Sequence, residues 1–368
     1  MYLQPLLAEV VKRKASDLHL KLGTPPTVRI DGVLVPLDVP SPTIEQMDMA
    51  CDEVLTPNQK KEFTTTSEVD FAFGVPGLAR FRANFYKQRG SIAMAFRLVP
   101  FDPPHVEELN LPAIISELAL KPRGLVLVTG TVGSGKSTTL AAMVRVINDN
   151  LKKNVMTIED PIEFLHRDNK SLISQREVGT DTESFAAALR HILRQDPDVI
   201  LIGEIRDQLT MSIALTAANT GHLVFSTLHT VDASQAVNRI ISFFPPHQHQ
   251  EIRFLMASCM EAIVSQRLVP RADKKGRVPG TEVMIATGTV KEYLADPTKT
   301  HMIKNVIEES TTEYGMQSFD QSLLAWYNKG VITLEDALRY ASSPTALQIK
   351  AKGIETGSEA SWAPFEMT

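Results

Sequence analysis

The stretch Gly130-Thr131-Val132-Gly133-Ser134-Gly135-Lys136-Ser137 contains the complete pattern G-x-x-x-x-G-K-S. An apolar, β-prone run at residues 125–129 precedes it, and a run typical of a helix start at residues 137–143 follows it. Glycines allow a tight turn whose backbone N–H groups point into a concavity at a helix amino terminus, where phosphate binds well. The segment therefore predicts a strand, a phosphate-binding loop and a helix in a chain that binds a nucleoside triphosphate.

Two side chains of this segment have distinct predicted roles. Lys136 neutralises β- and γ-phosphate oxygens, and the Ser137 hydroxyl ligates Mg²⁺. Phosphoryl transfer depends mainly on in-line geometry and on positive charge near the transferred group, which these two provide in part. The predicted nucleotide-binding residues here are Gly130, Thr131, Val132, Gly133, Ser134, Gly135, Lys136, Ser137 and Thr138.

Length and composition are typical of a multidomain enzyme. A chain of 368 residues is long enough for two or three domains with their own cores. A net charge of −5 gives no bulk attraction to nucleic acid, and no apolar run reaches the ~20 residues of a membrane span. The start lacks the pattern of a secretory signal, so we expect a cytoplasmic protein without direct membrane insertion. Cys51 and Cys259 fit no metal-ligand spacing and predict two buried thiols.

Turn residues and apolar periodicity divide the chain into five predicted segments. Residues 3–14 predict a helix, and Thr333 with Asp336 predicts a helix cap near the other end. Strands and helices alternate from residue 112 to 285 in the manner of a parallel sheet covered on both faces. The predicted segments are an α+β domain at 1–100, a proline-rich connector at 101–111, a nucleotide-binding core at 112–285, a helical region at 286–350 and a mobile tail at 351–368.

Three further strands of the core end in polar residues. Residues 154–158 lead to Glu159, residues 198–203 lead to Glu204 in the Walker B position, and the stretch His222–His229 brings two histidines. Ligands bind at the carboxyl ends of strands in open α/β sheets, so the two glutamates are candidates for chemistry. A strand-end carboxylate can equally be a structural cap. Two histidines seven residues apart in a strand point to opposite faces and cannot share one metal ion in regular geometry.

With these motifs the chain resembles the PilT/PilU twitching-motility ATPases of the secretion-ATPase superfamily. The resemblance covers residues 3–345 without a missing block. It implies an α/β fold in which a RecA-like P-loop domain follows a PAS-like α+β domain and precedes carboxy-terminal helices. The motifs that carry it are the phosphate loop, Glu159-Asp160-Pro161-Ile162-Glu163, the strand ending at Glu204, His222–His229, Ala15-Ser16-Asp17-Leu18-His19-Leu20 and Gly315-Met316-Gln317-Ser318-Phe319-Asp320.

The resemblance also implies a function and partners. It implies a homohexameric ring that hydrolyses ATP to power type IV pilus retraction, on the cytoplasmic face of the inner membrane beneath a PilC-like platform protein. Glu163 resembles the general base, with Glu159 beside the nucleotide, although the residues alone leave Glu163 and Glu204 as rivals for that role. The implied γ-phosphate sensors are His222 and His229, and the implied trans-acting arginines are Arg82 and Arg97.

Departures from the family pattern keep other functions open. Gly203 precedes Glu204 where many P-loop enzymes have Asp, so the Mg²⁺ shell must use Ser137, phosphates and water. Residues 286–294 keep only scattered positions of a motif associated with retraction, so the chain resembles the PilU branch at least as much as PilT. The alternative of an accessory subunit that assists a paralogous retraction ATPase therefore stays open. A PilB-like extension motor usually carries a four-cysteine zinc site, and a RecA-like DNA translocase needs a basic, aromatic-rich surface; the sequence shows neither pattern.

Overall fold

The computed structural model describes residues 2–310 and 314–353. These residues form two compact units. The first unit is the chain up to Asp102 together with a short segment, Pro161–Leu165, from the middle of the sequence. The second unit consists of the remaining described residues. The predicted tail falls mostly at residues 354–368, which lie outside the described part of the chain.

The first unit contains a six-stranded antiparallel sheet in the order β3-β2-β1-β6-β5-β4. The strands are β1 Asp17–Lys21, β2 Thr24–Ile30, β3 Val33–Pro36, β4 Glu68–Val75, β5 Ala79–Gln88 and β6 Ser91–Val99. The helices are α1 Leu3–Lys12, α2 Ile44–Val54 and α3 Pro57–Thr66. Helices α2 and α3 both begin at a capping box, in which a threonine and the glutamine three residues later satisfy each other's backbone N–H groups.

One face of this sheet is apolar and carries the core of the first unit. Alternate residues of β5 are buried, and Phe85 of that strand meets Phe96 of β6 edge to face with ring centroids 5.6 Å apart. Helix α1 adds four buried residues at helical spacing, Leu3, Leu6, Leu7 and Val10. Burying each such side chain stabilises the fold by roughly 1.5–3 kcal/mol. The opposite face of the sheet is left for polar side chains.

The second unit is built on a seven-stranded sheet in the order β13-β12-β7-β11-β10-β8-β9. All neighbours are parallel except β12 and β13. The strands are β7 Gly124–Thr129, β8 Asn154–Glu159, β9 Leu172–Glu177, β10 Val199–Ile202, β11 Leu223–Leu228, β12 Met260–Pro270 and β13 Arg277–Ile285. The helices are α4 Ile114–Ala119, α5 Lys136–Asn150, α6 Phe185–Ile192, α7 Gln208–Asn219, α8 Ala233–Ser242, α9 His249–Cys259, α10 Gly288–Ala295, α11 Ile303–Glu309, α12 Phe319–Asn328, α13 Leu334–Tyr340 and α14 Pro344–Ala351.

Helices cover both faces of this sheet. Leu125 and Leu127 of β7 point into a core shared with α6 to α9, whereas Val126 and Val128 point into a core shared with α4 and α5. Every residue of β7, β10 and β11 is buried, as expected for central parallel strands. A smaller core joins β12 and β13 to α12, where Trp326 Nε1 donates to Pro279 O at 2.8 Å.

The architecture confirms the predicted fold class and corrects some details. The helix predicted at residues 3–14 ends two residues earlier, at Lys12. The predicted cap is confirmed, because Thr333 accepts from the backbone N–H of Asp336. The prediction of two buried thiols is correct for Cys259 and wrong for Cys51, which is half-buried. Burial raises the pKa of Cys51 to about 11 and that of Cys259 to about 12, so both are thiols at neutral pH.

Candidate functional site

The phosphate loop connects the end of β7 to the start of α5. Gly130, Gly133 and Gly135 have φ values of 145°, 77° and 94°, which L-residues rarely adopt. A Cβ atom on Gly130 would lie 2.5 Å from the backbone oxygen of Gln266 and 2.5 Å from Ser134 Oγ. The loop therefore has this shape because glycine occupies its turns, and position 130 has no room for any side chain.

Lys136 is held against the loop that it follows. Its Nζ donates to the carbonyl oxygens of Gly130 at 2.9 Å and Thr131 at 3.0 Å. Burial lowers the pKa of Lys136, and the negative charge of Glu204 opposes that shift. Ser137 is exposed in the first turn of α5, whereas Ser134 Oγ is buried and has no hydrogen-bond partner among the described residues. Polar groups are thus gathered where a polyphosphate would lie.

A cavity of about 350 Å³ adjoins the loop. Its far wall was not predicted from the sequence. The guanidinium of Arg277 lies on it, with Nη1 3.5 Å from Gly133 O, and Arg267 stacks on the Phe319 ring at 3.8 Å. The cavity is lined by Gly130, Thr131, Val132, Gly133, Ser134, Val231, Gln266, Arg267, Leu268, Arg277 and Tyr340. These residues lie next to the loop because β12 pairs with β7. No local sequence motif predicts that pairing.

Glu204 follows β10 and lies in a polar cluster. Its carboxylate accepts from Arg206 Nη2 at 2.7 Å, and its other oxygen lies 3.1 Å from His229 Nε2. Burial raises the pKa of Glu204, but the hydrogen bond and charge of Arg206 and the charge of His229 outweigh burial and lower it overall. Glu204 is therefore ionised at neutral pH, as a group that orients water or a hydrated cation must be.

The backbone of β8 lies so close to residue 203 that a side chain there would be crowded, which explains why glycine precedes Glu204. A Cβ atom on Gly203 would lie 3.3 Å from Ile158 O and 3.4 Å from Glu159 Cα, which is tighter than usual. Glu159 itself ends β8, where its Oε1 accepts from Thr157 Oγ1 at 2.7 Å and Gln175 Nε2 at 3.1 Å. Gly203 thus allows the ends of β8 and β10 to lie close together.

The structure separates the two histidines. In the parallel pairing of β7 with β11, Leu223 is level with Gly124 and Leu228 with Thr129. His229 therefore follows β11 at the edge that carries the phosphate loop. His222 precedes the strand, with Nδ1 3.0 Å from Ala217 O, at the opposite edge and roughly 20 Å away at ~3.3 Å per residue. Within this chain, His222 lies at the edge of the sheet opposite the phosphate loop, whereas the family resemblance implies a role for it as a γ-phosphate sensor.

The remaining predicted site residues belong to the first unit. Arg82 Nη1 lies 3.3 Å from Glu163 Oε1, and Arg97 Nε donates to Asp17 Oδ1 at 2.8 Å. Arg82 and Arg97 are direct cross-strand neighbours on β5 and β6. Glu163 lies on the segment Pro161–Leu165 that packs with this unit. The structure therefore gathers Arg82, Arg97 and Glu163 in the first unit, and Lys136, Glu204 and His229 in the second.

A parallel sheet with a glycine-rich phosphate loop and a strand-end glutamate defines a P-loop nucleoside triphosphatase. Residues 105–354 match the family described as Type II/IV secretion system protein. The chain belongs to this family and is an ATPase of it. No helix among residues 2–310 and 314–353 is long and apolar enough to cross a membrane.

Relatives with known roles cover nearly the whole chain. The type IV pilus retractation ATPase PilT of Pseudomonas aeruginosa is 40% identical over 94% of this chain and 99% of its own length. The type IV pilus ATPase PilU of the same organism is 41% identical over 98% of this chain and 93% of its own length. A crystal structure of the pilus retraction motor PilT with bound ADP is 42% identical over 93% of this chain and 98% of that one, with a TM-score of 0.86.

Proposed function

We propose that this chain is a motor ATPase that hydrolyses ATP to power type IV pilus retraction. The observation that carries the proposal is the phosphate loop with Lys136 fixed across it and Glu204 and His229 at the same edge of the sheet. Similarity to PilT over nearly the whole chain supports the choice of pilus retraction. The motor works as a homohexameric ring on the cytoplasmic face of the inner membrane, against a PilC-like platform protein.

The loop binds ATP through its backbone N–H groups and Lys136. Lys136 exchanges the carbonyl oxygens of Gly130 and Thr131 for β- and γ-phosphate oxygens. Ser137, exposed in the first turn of α5, would hold Mg²⁺ together with the phosphates. Mg²⁺, when bound, neutralises charge that develops on the phosphate oxygens. The adjoining cavity, with Arg277 and Tyr340 in its wall, accommodates the rest of the nucleotide.

The water is oriented by carboxylates. Glu204 accepts a hydrogen bond from Arg206 and lies beside His229. This arrangement suits Glu204 to binding a water molecule and His229 to sensing the γ-phosphate. Glu163 is about half exposed and has Arg82 as an ion-pair partner. The family resemblance supports Glu163 as the general base, and the polar cluster around Glu204 supports Glu204 as a group that orients water. Arg82 and Arg97 act on the nucleotide of a neighbouring subunit, a contribution worth ~10³-fold or more in related systems.

A second candidate function is an accessory ring that assists a principal retraction ATPase. The observation that favours it is similarity to PilU, which matches the similarity to PilT in identity and covers slightly more of this chain. Residues 286–294, which lack the motif associated with retraction, contain most of α10 with Thr287 as its cap. Such a subunit hydrolyses ATP weakly or only in the presence of its partner.

The proposal is tested with the purified chain and in a strain. Lys136→Ala is expected to weaken ATP binding and lower the steady-state ATPase rate at least ~100-fold, because it removes charge from ground and transition states alike. Lys152→Ala, an exposed lysine beyond the end of α5, is the matched control and should retain the parental rate. Equal rates for the parent and Lys136→Ala would refute the assignment of this loop.

Pilus retraction in a strain with this chain as its only retraction ATPase separates the two candidate functions. Retraction in that strain indicates a principal motor. Retraction that appears only when a PilT-like motor is also present indicates the accessory role. No effect on retraction in either background contradicts both.

A further inference from the structure

Asp17 lies between two arginines on the polar face of the first unit's sheet. The cross-strand register places Asp17 of β1 level with Arg29 of β2 on one side and Arg97 of β6 on the other. Arg97 Nε donates to Asp17 Oδ1 at 2.8 Å, and Arg29 Nε lies 3.8 Å from Oδ2. Ser16 Oγ also donates to Oδ2 at 2.7 Å. Asp17 is only 7% exposed, so its carboxylate is fixed in place.

The pairing leaves the outer end of Arg97 available. A guanidinium has five N–H donors, and Asp17 engages the one at Nε, closest to the aliphatic stem. The side chain of Arg97 is 66% exposed and has no other hydrogen-bond or ion-pair partner among the described residues. Its two terminal nitrogens form the fork that binds phosphate in a bidentate manner. Arg97 is thus held at its inner end and open at its outer end.

Arg82, the next residue in the same row, is held differently. Its terminal Nη1 is the group that faces Glu163. An arginine engaged through its terminal nitrogens must release that partner before it can bind an anion in a bidentate manner. Arg97 needs no such release. A free arginine side chain loses rotamer entropy when it is fixed on an anion, and Asp17 removes part of that loss beforehand.

We propose that Asp17 is a positioning residue for Arg97, which it holds by Nε so that the terminal nitrogens present a preformed fork to the polyphosphate of a neighbouring subunit. This inference rests on the proposed trans action of Arg97. It gives a role to Ser16 and Asp17 of the amino-terminal motif, which are not part of the nucleotide site of the second unit. Asp17 itself touches no nucleotide.

Kinetics of single and double variants provide the first test. Asp17→Ala is expected to lower kcat ~10- to 100-fold, the usual consequence of a displaced catalytic group, while the affinity for ATP stays within about two-fold. The double variant Asp17→Ala/Arg97→Ala should be no slower than Arg97→Ala alone. Asp38→Ala, an exposed aspartate of the same unit, is the matched control with parental kinetics. Multiplicative losses in the double variant would show that Asp17 acts independently of Arg97.

Mixed rings provide the second test. Asp17→Ala mixed with Lys136→Ala should regain activity, because an intact loop then meets an intact Asp17–Arg97 pair from another chain. Asp17→Ala mixed with Arg97→Ala should regain none, because both lack the same element. Recovery of ATPase activity in that second mixture would overturn the proposed role of Asp17 but not the trans action of Arg97. No recovery when Arg97→Ala is mixed with Lys136→Ala, despite co-assembly, overturns the trans arginine and the inference with it.

A conservative variant keeps the test valid if Asp17→Ala does not fold. Asp17→Asn retains an oxygen that accepts from Arg97 Nε but loses the charge, so its kcat should lie above that of Arg97→Ala and no higher than that of the parent. In a mixture with Arg97→Ala it should again regain nothing beyond the sum of the separate rates. A kcat below that of Arg97→Ala, in a variant that is still fully folded at the assay temperature, contradicts positioning through this hydrogen bond.

Discussion

The sheet of the second unit has central strands buried on both faces, whereas the sheet of the first unit has one apolar face and a row of charged side chains on the other. Strands β7, β10 and β11 have no free face, so their polar groups lie where the strands end. The row Arg29, Asp17, Arg97 and Arg82 instead runs across four antiparallel strands at one level.

Functional residues therefore occupy different places in the two sheets. In the parallel sheet, adjacent strand ends meet at one edge and gather residues that are far apart in sequence. In the antiparallel sheet, alternate residues of each strand share a face, and the register decides which of them become neighbours. A motif search finds the first kind of site, and only the pairing of strands reveals the second.

The largest effect should follow from a single methyl group in the loop of the parallel sheet. Gly130→Ala places a Cβ atom 2.5 Å from the backbone oxygen of Gln266, so β12 or the loop must shift. We expect a loss of ATPase activity of at least ~100-fold, because a displacement of ~1 Å is enough for that. Gly74→Ala on β4 of the other sheet is the control, since a Cβ atom there has no neighbour within 4 Å. Steady-state ATPase rates and melting temperatures of both variants test this prediction. Equal ATPase rates for Gly130→Ala and Gly74→Ala would contradict it.

A smaller effect should follow from the strand-end carboxylate. Glu204→Gln keeps the shape of the side chain but removes the charge that Arg206 and His229 face, and we expect kcat to fall ~10- to 100-fold with little change in ATP affinity. Glu261→Gln is the matched control. It lies at the opposite edge of the same sheet in a part-exposed pair with Lys121, 3.6 Å away. An equal fall in kcat for Glu204→Gln and Glu261→Gln would mean that the location of Glu204 at the phosphate-loop edge of the sheet does not matter for catalysis.

The smallest effect concerns buried carboxylates, whose pKa values shift in opposite directions in the two sheets. Burial raises the pKa of Glu282 on β13 to about 7, an effect that the charge of Asp232 increases and those of Arg267 and Lys304 reduce. Burial also opposes ionisation of Asp17, but hydrogen bonds from Ser16 and Arg97 outweigh it and lower that pKa. A raised folded-state pKa means that the folded protein binds more protons than the unfolded one between pH 4.5 and about 7.

The stability contributed by protonated Glu282 is therefore lost as pH rises through that window. Glu282→Gln should stabilise the protein by about 1–3 kcal/mol at pH 8 and by little near pH 5. The amide oxygen can still accept from Ala233 N, which donates to Glu282 at 2.8 Å. Asp17→Asn should instead destabilise the protein at neutral pH, with the loss fading only in strong acid. Thermal unfolding of both variants between pH 5 and 8 tests the opposite signs, and a pH-independent gain for Glu282→Gln would contradict the assignment.

Local motifs were sufficient to predict the phosphate loop, the parallel-sheet core and the α+β segment before it, and the family resemblance supplied the RecA-like and PAS-like assignments. The glycine pattern requires positive φ values, and Gly130, Gly133 and Gly135 adopt them. Strand periodicity, turn residues and caps are also local signals, which explains the confirmed cap at Thr333. These features depend on interactions within a few residues along the chain, so they are visible without knowledge of strand order.

Features that depend on distant pairing were not visible. Arg267 and Arg277 reach the loop because β12 lies beside β7 and β13 beside β12, and neither strand carries a motif. Tyr340, the last residue of α13, reaches the same cavity where its carbonyl oxygen accepts from Arg267. The stretch from His222 to His229 was predicted as one strand containing both histidines, but the strand runs only from Leu223 to Leu228, so the histidines flank its two ends and are separated by its full length. The grouping of residues 161–165 with the first unit likewise reflects contacts between distant parts of the sequence, among them the Glu163–Arg82 pair and the backbone pairing of Leu165 with Phe101.

The short segment at residues 161–165 has a consequence for attempts to dissect the protein. Leu165 bridges to Phe101 in parallel, its N–H donates to Pro100 O at 3.0 Å, and its carbonyl oxygen accepts from Asp102 N at 3.3 Å. The polypeptide therefore enters the first unit twice. A protease cut or a gene truncation at residue 102 leaves an amino-terminal fragment without these partners and a carboxy-terminal fragment with an orphaned apolar segment. Permuting or splitting the gene at one junction cannot yield both units whole, and a faithful isolated first unit requires residues 161–165 to be grafted on through a new linker.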